Sequence, residues 1–201
     1  MIAIIDYDAG NLKSVEKALL HLGEEVKITR DREEILLADK VILPGVGAFG
    51  DAMEKLHFYG LVDVIREVHR RQTPLLGICL GLQLMFESSD ETPGVEGLGI
   101  LPGKVCAIPP KSGYKIPHMG WNSLRIREGA RLFSGIAQDS YVYFVHSFYL
   151  QAENKEDVAA ETEYIVPIHA SVEHGNTFAC QFHPEKSGDV GLKILKNFCE
   201  L

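Results

Sequence analysis

The segment Gly-Ile-Cys-Leu-Gly at residues 77–81 joins a predicted strand directly to a predicted helix. Residues 73–78 form a short apolar run, which is typical of a buried strand in a parallel sheet. Leu80 and Leu84 then repeat at helical spacing. A strand that becomes a helix within one residue forces that residue toward strained backbone angles, and flanking glycines relieve the crowding. The segment therefore predicts an α/β fold with Cys79 on a sharp elbow.

Cys79 has two interpretations at this stage. As a nucleophile, it would lie at the N-terminus of a helix, where the helix dipole favours the thiolate. The backbone N–H of Leu80 would then point to where an oxyanion forms on a substrate carbonyl. A buried core cysteine fits the elbow equally well, because free cysteine is among the most buried residue types. Only a base and its orienting group can decide between the two.

The segment Gln-Phe-His-Pro-Glu at residues 181–185 supplies that base. His183 and Glu185 are two residues apart, so their side chains project to the same side of an extended chain. Pro184 disfavours helix at His183 and fixes its own φ. Glu185 would hold one ring nitrogen and leave the other free for the thiol proton. Alone, this segment is an ordinary loop; with the elbow, it predicts a catalytic triad of Cys79, His183 and Glu185.

These two segments resemble the nucleophile and His-Pro-Glu motifs of the class I (triad) glutamine amidotransferases. Three further segments resemble members of that family, at residues 6–15, 44–49 and 117–122. The resemblance implies an α/β fold with a central, mostly parallel sheet flanked by helices and with added antiparallel strands in the second half. It also implies hydrolysis of glutamine to glutamate and ammonia through a thioester. Two positions depart from the family pattern: Asp8, where glycine is expected, and Phe148, where tyrosine is commoner.

The resemblance implies roles for residues outside the triad. The implied oxyanion-hole residues are Gly45, Val46, Gly47 and Leu80; the implied substrate-binding residues are Gln83, Glu91, Ser147 and Phe148; the implied partner-interface residues are Asn11, Trp121 and Lys186. Without the resemblance, residues 44–47 would be a plain strand-to-helix turn and Gln83 a solvated helix position. Glu91 would be a surface acid and Trp121 a core residue. His146 is interpreted as a structural histidine and not as a second base.

The resemblance also implies a partner. Ammonia would pass to a separate (β/α)8 synthase subunit, because the chain has no segment left over for a synthase domain. Alternatives remain open: an amidotransferase subunit for another acceptor, as in aminodeoxychorismate or pyridoxal phosphate synthesis, and a regulatory protein that keeps the fold without catalysis. A hydrolase of γ-glutamyl peptides is a weaker third.

Composition agrees with an ordinary soluble globular protein, predicted as a single domain over residues 1–201. Its hydrophobic content is 46%, its charged content 24% and its net charge −8, and the acidic balance argues against a nucleic-acid binder. The absence of a long apolar run or a signal-peptide start predicts a cytoplasmic location. The four cysteines lack a C-x-x-C pair, so we predict no disulfide framework, no metal and no cofactor.

The first half of the chain alternates between strand and helix patterns, and the second half is rich in β-branched and aromatic residues. Strands are predicted at residues 2–5, 26–29, 40–43, 73–78, 99–108, 121–126, 141–149, 159–163, 169–173 and 177–182. Helices are predicted from a cap at Asn11 to Gly23, at residues 48–58, 61–71 and 80–87, and from about residue 187.

Overall fold

The computed structural model describes residues 1–8 and 10–201. The strands are β1 (Ile2–Ile5), β2 (Val26–Thr29), β3 (Lys40–Leu43), β4 (Leu75–Ile78), β5 (Ser88–Ser89), β6 (Gly103–Ala107), β7 (His118–Ser123), β8 (Arg125–Ile126), β9 (Tyr141–His146), β10 (Phe148–Ala152), β11 (Val158–Tyr164), β12 (Val166–His174) and β13 (Thr177–Cys180). The α-helices are α1 (Leu12–His21), α2 (Arg32–Leu37), α3 (Phe49–Phe58), α4 (Leu61–Arg70), α5 (Leu80–Leu84) and α6 (Gly188–Cys199).

The central sheet has eight strands in the order β2-β1-β3-β4-β13-β12-β11-β8. Pairing is parallel from β2 through β13 and antiparallel from β13 to β8. Two smaller sheets, β10-β6-β5 and β7-β9, are built from strands that lie between residues 88 and 152. The predicted fold class is therefore confirmed: a mostly parallel sheet, with antiparallel strands added after the midpoint.

The sheet separates two apolar cores, because alternate residues of a strand face opposite sides. In β1, Ala3 and Ile5 pack into one core, together with side chains of α2, α3 and α4. Ile2 and Ile4 pack into the other, together with side chains of α1 and α6. Burial on both faces explains why the parallel strands are continuously hydrophobic instead of alternating.

Several local features differ from the sequence predictions. Helix α2 was not predicted. Its cap is Asp31, whose side chain accepts from the backbone N–H of Glu34 at 3.0 Å. The elbow helix α5 ends at Leu84 and does not continue to residue 87. The predicted strands at residues 121–126 and 141–149 are each two strands: β7 and β8 separate at Leu124, and β9 and β10 separate at Ser147.

Within residues 1–8 and 10–201, no helix is long and apolar enough to cross a membrane. The same residues contain no group of three or more His, Cys, Asp or Glu side chains arranged to hold a metal ion. All four cysteines are free thiols.

Candidate active site

Cys79 occupies the single residue between β4 and α5. Its backbone has φ 54° and ψ −108°, a combination that L-residues rarely adopt and that is typical of strained functional sites. The strain is held by the sheet, since the Cys79 N–H donates to the Cys180 carbonyl at 2.8 Å. Gly81 permits the tight turn, because a Cβ there would collide with the backbone carbonyl of Leu43.

His183 lies against Cys79 on one side and Glu185 on the other. Its Nδ1 is 2.8 Å from Oε1 of Glu185, and both side chains are fully buried. Its Nε2 has no hydrogen-bond partner within the part of the chain that the structure describes. Burial alone would lower the pKa of His183, but the contacts with Cys79 and Glu185 outweigh burial and raise this pKa to about 9. A histidine of this pKa is protonated at neutral pH and faces the Cys79 sulfur as a cation.

An extended His-Pro-Glu segment was expected from the sequence, but the segment is a turn. Pro184–Lys186 forms a short 3-10 turn, and only His183 before it is extended, at φ −100° and ψ 96°. The turn is anchored to β9, since the His183 N–H donates to the Tyr143 carbonyl at 3.0 Å. The Ser187 hydroxyl closes it by donating to the His183 carbonyl at 2.6 Å. The imidazole and carboxylate therefore meet across a turn and not along one side of a strand.

Asn11 contacts the same carboxylate. Its Nδ2 donates to Oε1 of Glu185 at 2.5 Å, across 174 residues of sequence. Asn11 is at the N-cap position of α1, but its backbone is left-handed, at φ 73°, and its side chain makes no cap hydrogen bond. The expected helix cap is therefore wrong: the amide is directed to Glu185 instead. Its assignment to a partner interface remains a prediction.

A cavity of about 440 Å³ opens beside the Cys79 sulfur and His183. It is lined by all four predicted substrate-binding residues, Gln83, Glu91, Ser147 and Phe148, and by three predicted oxyanion residues, Val46, Gly47 and Leu80. Gly45, Asn11, Trp121 and Lys186 do not line it. A larger cavity, of about 630 Å³, lies near α6 and contains none of the predicted site residues.

The N–H of Leu80 is occupied. It donates to the Gly45 carbonyl at 3.3 Å, so that a carbonyl oxygen stands where the sequence analysis expects a substrate oxyanion. A second hydrogen bond holds the segment that carries Gly45: the buried Tyr7 hydroxyl donates to the Pro44 carbonyl at 2.8 Å. Gly47 completes the segment at φ 101°, which only glycine adopts easily. Residues 44–47 must therefore rearrange before the Leu80 N–H can receive an oxyanion.

Two predicted substrate residues also make internal contacts. The Gln83 Nε2 donates to the Phe148 carbonyl and to Oε1 of Gln181, both at 3.1 Å. Oε2 of Glu91 accepts from the Phe49 N–H at 2.8 Å, at the start of α3. Both side chains are thus held in place at the cavity wall without substrate.

Gln181, His118 and His146 also make contacts beside the cavity that were not predicted from the sequence. Gln181 belongs to the motif at residues 181–185, but residue spacing does not predict which groups a buried neutral amide contacts. The histidines are on adjacent strands, β7 and β9, and their Nδ1 and Nε2 atoms are 2.9 Å apart. Only the strand register brings them together, and that register is not readable from residue spacing.

An exposed apolar surface lies next to the site. On β7, Met119 is 62% exposed and Trp121 is 55% exposed, and both side chains point to the same side of the strand. Tyr114 and Ile116 continue the surface in the preceding loop, where they line a groove with Pro117, which also lines the Cys79 cavity. We name these four residues, Tyr114, Ile116, Met119 and Trp121, the β7 apolar patch. Contiguous exposed apolar groups of this kind mark interaction surfaces.

Comparison with known proteins assigns the chain to a family. The family model described as "Glutamine amidotransferase class-I" matches residues 3–201. The chain belongs to this family. Among curated relatives, the imidazole glycerol phosphate synthase subunit HisH of Moorella thermoacetica is 54% identical, over 100% of this chain and 94% of that protein. The subunit of the same name from Bacillus cereus strain G9842 is 52% identical, over 98% of this chain and 93% of that protein.

Solved structures show the same fold for this amidotransferase at much lower identity. A crystal structure of a glutamine amidotransferase has a TM-score of 0.77 at 21% identity and covers 100% of this chain and 98% of its own. PurLQS from Thermotoga maritima has a TM-score of 0.75 at 20% identity, covering 99% of this chain and 97% of its matched chain. At these identities the likeness establishes the architecture alone.

Proposed function

We propose that this amidotransferase is the glutaminase subunit of an imidazole glycerol phosphate synthase, with Cys79, His183 and Glu185 as its triad. The observation that carries the proposal is the placement of His183. Its Nδ1 is bound to Glu185 at 2.8 Å, and its Nε2, free of any partner in the described residues, lies beside the cavity that also exposes Cys79. A base so oriented can exchange a proton with Cys79 or with a substrate in that cavity.

In the first half-reaction, the Cys79 thiolate attacks the side-chain carboxamide carbon of glutamine. The developing oxyanion is received by the backbone N–H of Leu80 and by the segment of Gly45, Val46 and Gly47. His183, held by Glu185, gives its proton to the leaving nitrogen as the carbon–nitrogen bond breaks, which releases ammonia and leaves a thioester.

In the second half-reaction, the now neutral His183 takes a proton from water as the water oxygen attacks the thioester carbon. The carbon–sulfur bond breaks, glutamate departs, and the thiolate and imidazolium are restored. Ser147 and Phe148 hold the main-chain atoms of glutamine, Glu91 its ammonium group, and Gln83 its amide. The cavity volume, about 440 Å³, suits a ligand of that size.

We further propose that the ammonia is used by a separate (β/α)8 subunit docked on the β7 apolar patch. Trp121, Asn11 and Lys186 are the predicted contacts. The partner would use ammonia on a phosphorylated ribulosyl aminoimidazole carboxamide, making imidazole glycerol phosphate for histidine and an aminoimidazole carboxamide ribotide. The names of the half-identical relatives, which are subunits of such a synthase, support this assignment.

An electrophilic glutamine analogue tests the nucleophile. With the partner present, it should label the wild-type chain once, at Cys79 and at none of Cys106, Cys180 or Cys199, as located by peptide mass spectrometry. Cys79→Ala should bind glutamine but release no glutamate above an uncatalysed control. Residual turnover in that variant would refute the assignment, and absence of labelling would favour a regulatory protein.

A binding assay separates the candidate acceptors. The chain should be retained by the (β/α)8 subunit of imidazole glycerol phosphate synthase and not by synthases for aminodeoxychorismate or pyridoxal phosphate. Retention by one of the latter instead would replace the proposed partner while keeping the glutaminase chemistry.

A further inference from the structure

Gln181 is a fully buried amide directly below the nucleophile. It follows β13, and its side-chain Nε2 is 3.8 Å from the Cys79 sulfur. At its other end, Oε1 accepts from the Gln83 Nε2 at 3.1 Å. The side chain thus bridges the reacting sulfur and a wall of the cavity.

The orientation of this amide follows from a carbonyl group that can only accept. The Phe148 carbonyl lies 3.1 Å from the Gln83 amide, so Gln83 must present its Nε2 there. The second hydrogen of that Nε2 then requires an acceptor, which Oε1 of Gln181 provides. Exchanging the two ends of the Gln181 amide would set two N–H groups against each other. Gln181 therefore directs its N–H, and not its oxygen, toward the sulfur.

The Phe148 carbonyl is itself fixed from a second direction. Nδ1 of His146 is 2.8 Å from it and must carry the hydrogen of that bond. Nε2 of His146 is then the acceptor for Nδ1 of His118, at 2.9 Å. Burial lowers the pKa of His118 to about 4 and that of His146 to about 3, so both rings stay neutral and keep this arrangement at neutral pH.

We propose that Gln181 is a further catalytic residue, whose side-chain N–H donates to the Cys79 sulfur and favours its thiolate form. A thiolate accepts a hydrogen bond far better than a thiol does, so a fixed donor lowers the free energy of the nucleophilic state. The same bond directs the sulfur toward the cavity. The inference rests on the proposed role of Cys79 as nucleophile and adds a donor that acts on it from inside the protein.

The test is the rate at which iodoacetamide alkylates Cys79 between pH 5 and 10 in the full-length chain. Gln181→Leu and Gln181→Met both remove the donor while filling the space with apolar atoms, and the flexible methionine serves if the leucine variant does not fold. Ser171→Ala is the matched control, because it removes another buried hydrogen bond, from Ser171 to the Ala179 carbonyl, that does not reach the sulfur. Peptide mass spectrometry assigns the reaction to Cys79.

The other titratable groups that face the sulfur, His183, Tyr7 and Cys180, remain in every variant. We expect alkylation of Cys79 at pH 7 to be about ten-fold slower in the Gln181 variants than in the wild type, because the thiolate loses its fixed donor. In the complex, kcat should fall by a similar factor, and any rise in KM reports the loss of the Gln83 contact. Ser171→Ala should match the wild type in both measurements.

An alkylation profile in the Gln181 variants that coincides with the wild type would overturn the inference and leave the proposed function intact. A different failure would concern the proposed function itself: a wild-type Cys79 that reacts no faster than an ordinary thiol and is not labelled by the glutamine analogue. That result would contradict both the proposed role of Cys79 and the role of Gln181.

Discussion

The side chain of Asn11 donates to Oε1 of Glu185, the carboxylate oxygen that also binds Nδ1 of His183. The other oxygen, Oε2, has no partner within the described residues, so one oxygen carries both bonds. Asn11 belongs to the loop after β1, and the triad base to the turn after β13. The amide therefore ties the loop, a predicted partner contact, to the orientation of the base.

Asn11→Gly tests this tie. Glycine keeps the left-handed backbone, at φ 73°, without strain and removes only the donor. We expect kcat of the complex to fall about 10- to 100-fold, because a hydrogen bond to a buried carboxylate is worth about 1.5–3 kcal/mol. KM for glutamine should stay nearly unchanged. Asp139→Gly, in an exposed turn at φ 60°, is the control and should keep full activity. A wild-type kcat in Asn11→Gly would show that the hydrogen bond from Asn11 to Glu185 does not contribute to catalysis.

Tyr7→Phe tests the restraint on the oxyanion segment. Loss of the hydroxyl leaves the Pro44 carbonyl without its donor, and we expect the free energy of unfolding to fall by about 1–2 kcal/mol. Because the same bond holds the Gly45 carbonyl against Leu80, glutamate release by the free chain should rise several-fold. Tyr149→Phe removes a buried hydroxyl bonded to Gln151 and should not raise it. If basal activity in Tyr7→Phe stays at or below the wild-type level, Tyr7 does not restrain the segment.

The buried histidine pair predicts a loss of stability on acidification. The pKa of His118 is lowered to about 4 and that of His146 to about 3, both by burial, whereas histidines of an unfolded chain titrate near about 6.5. As pH falls from 6.5 toward 4, the unfolded chain binds protons that the folded chain does not. The free energy of unfolding therefore decreases. For each histidine the full decrease is about 1.4 kcal/mol for every unit by which burial lowers its pKa.

Urea unfolding between pH 7.5 and 4.5 measures this effect. The double variant His118→Asn, His146→Asn keeps an N–H near each Nδ1 and should lose less stability than the wild type over that range. Acidic groups contribute equally to both proteins and cancel in the difference. The raised pKa of His183 gives a stabilisation that is complete below about pH 6.5 and is lost as pH rises through about 9; both proteins share it, so it also cancels in the difference. Parallel curves for the two proteins would contradict the assignment of neutral buried rings.

Much of the architecture could be predicted from spacing. The elbow, the parallel strands and α1, α3, α4 and α6 follow from apolar periodicity and from glycine positions. The shortness of α5 could not be predicted, because the carbonyls of residues 84–86 accept hydrogen bonds from the N–H groups of residues 98–101, which are distant in sequence. The missed helix α2 did carry one: Asp31 with Glu34 three residues later is a capping pattern.

The candidate site was predictable in its residues and not in its connections. Cys79, His183 and Glu185 could be selected because nucleophile, base and orienting group must all be present. The contact of Asn11 with Glu185 joins residues far apart in the chain, and the Gly45 carbonyl on Leu80 is a property of one conformation. Neither contact can be predicted from residue spacing.

Met119→Glu tests the β7 apolar patch as the partner surface. A carboxylate in the centre of a desolvated interface should weaken binding of the (β/α)8 subunit at least ten-fold, as measured by calorimetry. Because Met119 is 62% exposed, the free energy of unfolding of the chain should change by less than about 0.5 kcal/mol. Leu37→Glu, at a position 82% exposed on α2, should leave binding unchanged. Unaltered affinity in Met119→Glu would show that the partner does not bind on the β7 apolar patch.

The most direct measurement is glutamate release from glutamine by the chain alone, with the (β/α)8 subunit, and with that subunit and its nucleotide ligand. We expect little release by the free chain, whose Leu80 N–H is occupied by the Gly45 carbonyl at 3.3 Å, and a large rise on adding partner and ligand. Cys79→Ala should release none in any mixture. Full activity of the free chain would contradict the requirement for rearrangement, and no glutamate in any mixture would contradict the glutaminase itself.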